Sequence, residues 1–220
     1  MIPAPEKSPG PGRPKDLEKR DAILGAAKRL FPLRGFEGTS MDAIAAEAGV
    51  SKLTVYSHFR DKETLFVEAV RAKCESQMPA ALFALDSNGS VRRQLEAIAR
   101  AFFALITGQE AIALHRLLSA GAGSSPKLAQ LFWEAGPQRV QQTFADFLQR
   151  QVNAGRMEIP DVKRAAAQFF CLLKGEYHAR LLCGCARPCD AAEIDQHLHA
   201  TVDFFLRAYV PCSVRAGPAP

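Results

Sequence analysis

The sequence predicts an all-α protein. Three observations predict it. Apolar residues recur three and four apart through successive segments, glycine- and proline-containing breaks divide those segments, and no stretch alternates in the manner of a half-buried strand.

Residues 1–14, rich in proline and glycine, cannot pack a core and read as a flexible arm. A first helix follows from Asp16, with Ile23, Ala27, Leu30 and Phe31 at helical spacing and Gly35 ending it; Pro32 removes one backbone donor in its last turn and is expected to kink it. "GTSMD" is a helix start. Thr39 or Ser40 can cap it, Asp42 supplies an early negative charge, Ile44, Ala45 and Ala48 face inward, and Gly49 stops it. Ser51 caps a short helix and Asp61 a longer one carrying Leu65, Phe66, Ala69 and Val70. Beyond residue 85, "SVRRQLEAIARAFFALI" places Leu95, Ile98, Phe102 and Ile106 on one face. Further helices are expected over about 110–120, 126–135, 137–153, 161–183 and 190–209, and the tail "PCSVRAGPAP" is expected to be disordered.

Residues 41–48, the turn 49–51 and residues 52–58 have the dimensions of a helix-turn-helix. The second helix of such a unit enters the DNA major groove, led by its N-terminal residues. It needs an apolar side to anchor it, which Val55 and Phe59 supply, and a polar side to face DNA. Lys52 can reach a phosphate or a guanine edge, and Thr54 a base, a phosphate or a thymine methyl. Tyr56, His58 and Lys62 suit the phosphate backbone, and Thr39 and Ser40 join the DNA-facing candidates. By spacing alone, the same residues also fit an ordinary turn between core helices.

The residues together carry more. "AAKRLFPLRGFEGTSMDAIAAEAGVSKLTVYSHFRDKETLF" resembles the DNA-binding domain of the TetR/AcrR family of bacterial transcriptional regulators, from about Arg20 to about Val70. The resemblance implies a three-helix DNA-binding domain, a helical domain that binds a small molecule and forms a homodimer, and repression of an operator relieved by the ligand. In that motif Leu53 stands where glycine is common, which favours contact with a thymine methyl, and Pro32 replaces a good helix former. Arg13 and Lys15 in "GPGRPK" are candidates for the minor groove or phosphates.

"LHRLLSAGAGSSPKLAQLFWEAGPQRVQQTFADFLQRQ" and "AAAQFFCLLKGEYHARLL" resemble the AefR-like subgroup of that family. By that resemblance the last two helices form a four-helix dimer interface. Aromatic residues are dense here. Phe102, Phe103, His115, Trp133, Gln141, Phe147 and Glu176 are the candidates for a ligand pocket, with Arg116 and His178 beside them; taken singly, each aromatic fits the core better and each polar residue the helix surface. The expected organisation is thus an arm over 1–14, a DNA-binding domain over 15–62, a ligand-binding and dimerisation domain over 63–210 and a tail over 211–220. The expected partners are double-stranded operator DNA, a second copy of the chain and a small apolar inducer, with efflux or stress genes as targets.

Bulk properties agree with this reading without compelling it. The 220 residues carry a net charge of +5, and the excess is not concentrated: residues 1–65 hold 11 Lys/Arg against 9 Asp/Glu. No apolar run reaches the ~18 residues of a membrane span, and the N-terminus lacks the apolar core of a secretory signal, so a cytoplasmic protein with no membrane partner is expected. "CGCARPC" raises an alternative in which Cys183, Cys185 and Cys189, with Cys171 or His178, sense oxidants or a soft metal, although C-x-C-x₃-C is not a zinc spacing. An enzyme is the other class weighed. G-x-S-x-G, H-E-x-x-H, phosphate-loop and dinucleotide motifs are all missing from the chain, so neither catalysis nor a cofactor is expected.

Overall fold

The computed structural model describes residues 13–84, 89–121, 125–185, 190–209 and 211. Among them are ten α-helices and no strand. The helices are α1 (Arg13–Arg34), α2 (Met41–Ala48), α3 (Lys52–His58), α4 (Lys62–Gln77), α5 (Val91–Thr107), α6 (Gln109–Ala120), α7 (Pro126–Ala135), α8 (Pro137–Asn153), α9 (Val162–Cys183) and α10 (Ala191–Tyr209); a short 3₁₀ turn covers Ala80–Phe83. The chain divides into two compact units after Ala69, so α4 begins in the first and ends in the second. Helix α1 starts inside the segment expected as an arm, and it continues to Arg34 with Pro32 within it.

The first unit closes over a small aromatic core. Phe31 meets Phe66 edge-on at 5.2 Å, and Phe36 lies against both rings. Val55 on α3 and Phe59 at its C-terminal cap, four residues on, are almost wholly buried, as are Ile23, Ile44 and Leu65. Gly49 adopts φ 67° at the end of α2, and the amide of Val50 donates to the Ala45 carbonyl oxygen at 3.0 Å, which satisfies a carbonyl at the helix end as a left-handed cap does.

The second unit holds the larger core. Leu95, Ile98 and Phe102 of α5 pack with Phe144, Phe147 and Leu148 of α8, Phe169, Phe170 and Leu173 of α9, and Val202 and Phe205 of α10. Phe144 lies 4.9 Å from Phe169 and 5.0 Å from Phe170 between ring centres. Two ion pairs, Arg92 with Asp203 and Arg100 with Asp195, line the exposed seam of α5 and α10. The Arg100 guanidinium holds the Asp195 carboxyl below the usual carboxylate range.

Helix α9 is broken within its length. Gly175 has φ 50° and ψ −162°, a conformation that side chains other than hydrogen rarely tolerate. A Cβ built there would lie 3.0 Å from Cε1 of His197 on α10. The break interrupts the helical ladder, and His197 Nε2 lies 2.9 Å from the Leu173 carbonyl oxygen and can donate to it. Tyr177 and His178 therefore sit on a segment whose direction is set by this break.

Gly175→Ala is expected to cost about 1–3 kcal/mol, from backbone strain alone. Gly25→Ala, in the interior of α1 with only the end of Arg29 nearby at 3.6 Å, is expected to be neutral or to stabilise by up to about 1 kcal/mol. Urea unfolding of both variants checks the pair; equal stabilities would contradict the strained geometry at Gly175.

Candidate nucleic-acid interface and ligand site

Helix α3 has seven residues, too few to be stable alone in water. It is held at three points. The Ser51 hydroxyl accepts a hydrogen bond from the Thr54 amide at 3.1 Å, the Phe59 amide donates to the Val55 carbonyl oxygen at 2.9 Å, and Val55 and Phe59 are buried beneath. The opposite face is left to solvent. Leu53 is 79% exposed and Tyr56 44%, values uncommon for large side chains that a fold uses. Thr54 shares a 2.8 Å hydrogen bond with Ser51, and Ser57 donates to the Thr54 carbonyl oxygen at 2.7 Å.

Lys52 opens this face. Its ammonium lies 2.8 Å from an Asp42 carboxylate oxygen on α2. That hydrogen bond and the attached charge raise the Lys52 pKa, so the side chain stays a cation. An exposed pair of this kind is weak and opens readily in favour of a stronger anion. Ser40 is exposed at the start of α2, where its hydroxyl accepts from the Ala43 amide at 3.1 Å and keeps its own proton to donate.

Three expected DNA contacts are turned inward instead. Thr39 is fully buried, and its hydroxyl donates to the carbonyl oxygens of Gly35 at 2.7 Å and Leu30 at 3.3 Å, so it ties the end of α1 to the start of α2 and offers nothing to a phosphate. The His58 side chain is about 10% exposed, with Nε2 3.1 Å from an Asp16 carboxylate oxygen on α1; the contact has the distance of an ion pair but not the geometry of a hydrogen bond. Lys62 donates to the Phe36 carbonyl oxygen at 2.8 Å and lies 4.3 Å from the centre of the Phe36 ring, so its charge closes the turn after α1. The side chains of Arg13 and Lys15 lie outside the described residues. Arg60, just past α3 and 91% exposed along its side chain, joins the face although the sequence reading did not single it out. The charge run "FRDKE" was the available signal, but it does not say which cation points outward.

The ligand candidates also divide. Phe102, Phe103 and Phe147 are buried in the second core, and Phe102 lies 4.2 Å from Phe170 between ring centres. His115 on α6 is half-buried against Phe132 at 5.2 Å and His178 at 5.8 Å. Gln141 is half-buried on α8. Trp133 is 43% exposed, and Glu176 is exposed and paired with Arg180 one turn on, which removes it from any enclosed pocket. The exposed Arg116 donates to the carbonyl oxygens of Leu181 and Leu182 at the end of α9. His178, by contrast, is 6% exposed, and its Nε2 has no hydrogen-bond partner. Burial pushes its pKa down to about 4, with help from the charges of His115 and Lys174. Cys171, Cys183 and Cys185 are exposed thiols, no cluster of three or more metal-binding side chains occurs among the described residues, and Cys189 lies outside them. No single described helix is long and apolar enough to cross a membrane; the bent pair α5–α6 passes on length and composition because α5 carries core residues.

Thr39→Val is expected to cost about 1–2 kcal/mol, because two carbonyl groups lose a buried donor, whereas Leu53→Ala changes stability by less than about 0.5 kcal/mol, as a free surface position should. Thermal or urea unfolding of the two variants tests the assignment of Thr39 to the interior and Leu53 to the surface; the reverse ranking would exchange them.

Known proteins share both units. Residues 23–69 match the model described as bacterial regulatory proteins of the tetR family, and residues 93–211 match the AefR-like transcriptional repressor C-terminal domain. A solved TetR-family regulator from Mesorhizobium loti is 32% identical, with a TM-score of 0.75 over 90% of this chain and 99% of that one. The solved flavonoid-responsive regulator FrrA is 35% identical, with a TM-score of 0.67 over 88% of this chain and 97% of that one. Among curated proteins, the HTH-type transcriptional activator FasR of Mycolicibacterium smegmatis is 35% identical over 107 residues, 46% of this chain and 48% of that one. The matches to curated relatives span about half of those proteins or less.

Proposed function

The chain belongs to the TetR family of DNA-binding transcriptional regulators, and from that premise we propose that it is a homodimeric repressor released from a roughly palindromic operator by a small apolar ligand. The observation that carries the proposal is the outward face of α3. Leu53 and Tyr56 are exposed beside Lys52 and Thr54 on a helix whose other side is fully buried. In the major groove, Leu53 meets a thymine methyl, Thr54 a base edge, and Lys52 exchanges Asp42 for a phosphate or guanine. Tyr56, Ser40 and Arg60 hold the phosphates that set the register. Arg13 and Lys15 extend the contact along the backbone or minor groove.

Dimerisation uses α9 and α10. Leu172 is 39% exposed and Phe204 62%, apolar residues without a role inside the second unit. A two-fold dimer sets two α3 helices on half-sites about one turn of DNA, ~34–36 Å, apart or a multiple of it. Repression agrees with the description of the C-terminal model, and an aromatic inducer agrees with the flavonoid-responsive relative. The curated activator favours a second reading, in which the same DNA surface recruits rather than blocks transcription.

Release follows from α4. Its later residues Val70 and Cys74 abut Gly136, where α7 gives way to α8; a Cβ there would lie 3.0 Å from Val70 and 3.3 Å from Cys74. A ligand that parts α7 and α8 from α9 displaces this junction and with it the end of α4, whose first turn belongs to the DNA-binding unit. A ligand that binds the DNA-incompetent state ~100-fold better weakens operator binding by up to ~2.7 kcal/mol, and DNA weakens ligand binding equally.

Four measurements test this. In gel shifts with the DNA upstream of its own gene, Leu53→Ala is expected to lose at least about 1 kcal/mol of binding and to shift preference among operator variants. Phe204→Glu is expected to give monomers by sedimentation and to lose the operator. Wild-type protein that shows no sequence-selective shift sinks the proposal, and a reporter that falls when the gene is deleted converts repressor to activator. For release, calorimetric titration of an apolar compound with and without operator is expected to give affinities differing by the same factor as operator affinities with and without the compound; equal affinities for every binder found refute ligand release.

A further inference from the structure

Most polar side chains near the aromatic part of the second unit have partners. Thr107 donates to the Phe103 carbonyl oxygen, Arg116 caps the end of α9, and His197 bonds the Leu173 carbonyl oxygen. His178 differs: it is more than nine-tenths buried, and Nε2 has no partner. It stands on the segment of α9 that follows the break at Gly175. His115 of α6 lies across from it, with ring centres 5.8 Å apart and planes at 87°. Phe132 of α7 closes one side at 5.2 Å from His115, and the stacked pair Phe103–Tyr177 belongs to the adjoining turn of α9 and to α5.

We propose that His178 and His115 together form the polar anchor of the inducer site, and that they select a neutral aromatic ligand bearing a hydroxyl group. The proposal rests on reading the second unit as ligand-binding and specifies what it binds.

The chemistry follows from the two imidazoles. His115 Nδ1 lies 2.8 Å from the Ala111 carbonyl oxygen, and a carbonyl only accepts. Nδ1 therefore carries the proton, and Nε2 of the neutral ring keeps a lone pair. Burial lowers the pKa of both histidines, and Lys174 lowers both further, so neither is a cation near neutral pH. A buried, unpartnered nitrogen costs stability until something bonds to it. A hydroxyl is the group that suits this pair, because it donates to one imidazole and accepts from the other. A carboxylate would lose its hydration against neutral rings, a cost that attraction to the Lys174 ammonium offsets in part, and the same ammonium repels a cation. Phe132 lies edge-on to His115, and a planar aromatic body suits such neighbours through the usual offset or edge contacts.

The test uses three probes of one shape on DNA-free protein: biphenyl, 4-hydroxybiphenyl and biphenyl-4-carboxylate. Trp133, the single tryptophan, reports binding from α7. The hydroxylated probe is expected to bind about tenfold more tightly than biphenyl, the value of one buried hydrogen bond, and more tightly than the carboxylate. In His178→Phe the hydroxyl keeps His115 alone, and the ratio of the first two affinities is expected to fall to about threefold. Histidine ¹⁵N spectra of the wild-type protein provide a second readout if that variant fails to fold: the His178 Nε2 resonance moves with 4-hydroxybiphenyl and stays with biphenyl. Equal affinities of the two neutral probes, tighter carboxylate binding, a ratio that is unchanged in His178→Phe, an unmoved resonance, or no binding by the hydroxylated probe each overturn the anchor. Binding of 4-hydroxybiphenyl through His178 without operator release supports the anchor and counts against ligand release alone.

Discussion

The burial of Val55 and Phe59 is the constraint on which the outward face of α3, the proposed DNA surface, depends. A seven-residue helix has no stability of its own, so α3 exists only while those two side chains are out of water. Their spacing of four fixes the opposite side of the helix, where Leu53 and Ser57 lie, while Lys52 and Tyr56 are exposed at its edge. The caps at Ser51 and Phe59 add direction, and the buried hydroxyl of Thr39 holds the start of α2 against the end of α1. The recognition face is thus the solvent side of a packing problem solved beneath it.

Much of this was legible in the sequence, because the signals are local. Gly49, Ser51 and the Val55–Phe59 pair mark the turn and the inner face within eleven residues, and the helical breaks after residue 85 fall at Gly and Pro as expected. What the sequence did not disclose depends on partners far along the chain. His58 turns inward to Asp16, 42 positions earlier, and Lys62 to the carbonyl of Phe36. A polar residue on a short helix looks equally suited to DNA or to such a partner. The same holds for Glu176 and Trp133: helical spacing places them near aromatic neighbours, but only the break at Gly175 and the packing of α7 decide which way they face. A glycine within an apolar helical run gives no warning of ψ −162°.

The second unit shows how one break can serve two purposes. Gly175 frees a carbonyl that His197 satisfies, and it redirects the rest of α9 so that His178 comes to lie beside His115. The core itself is ordinary close packing of phenylalanines from α5, α8, α9 and α10. Within this unit a buried imidazole nitrogen, His178 Nε2, is left without a hydrogen-bond partner. Stability alone would favour an apolar side chain there, so the imidazole is better explained by something that arrives from outside.

The pairing of Lys52 with Asp42 across α2 and α3 has a consequence for how the protein searches a genome. On the proposed reading, a cation already neutralised by its own carboxylate adds little to the general attraction of random DNA, which grows with every free positive charge. Because the pair is weak, a phosphate or a base edge draws Lys52 away from Asp42 wherever one lies within reach. On the proposed reading, the carboxylate is an internal competitor that lowers the hold on every sequence by the same small amount, so that right and wrong sites are told apart by the base contacts.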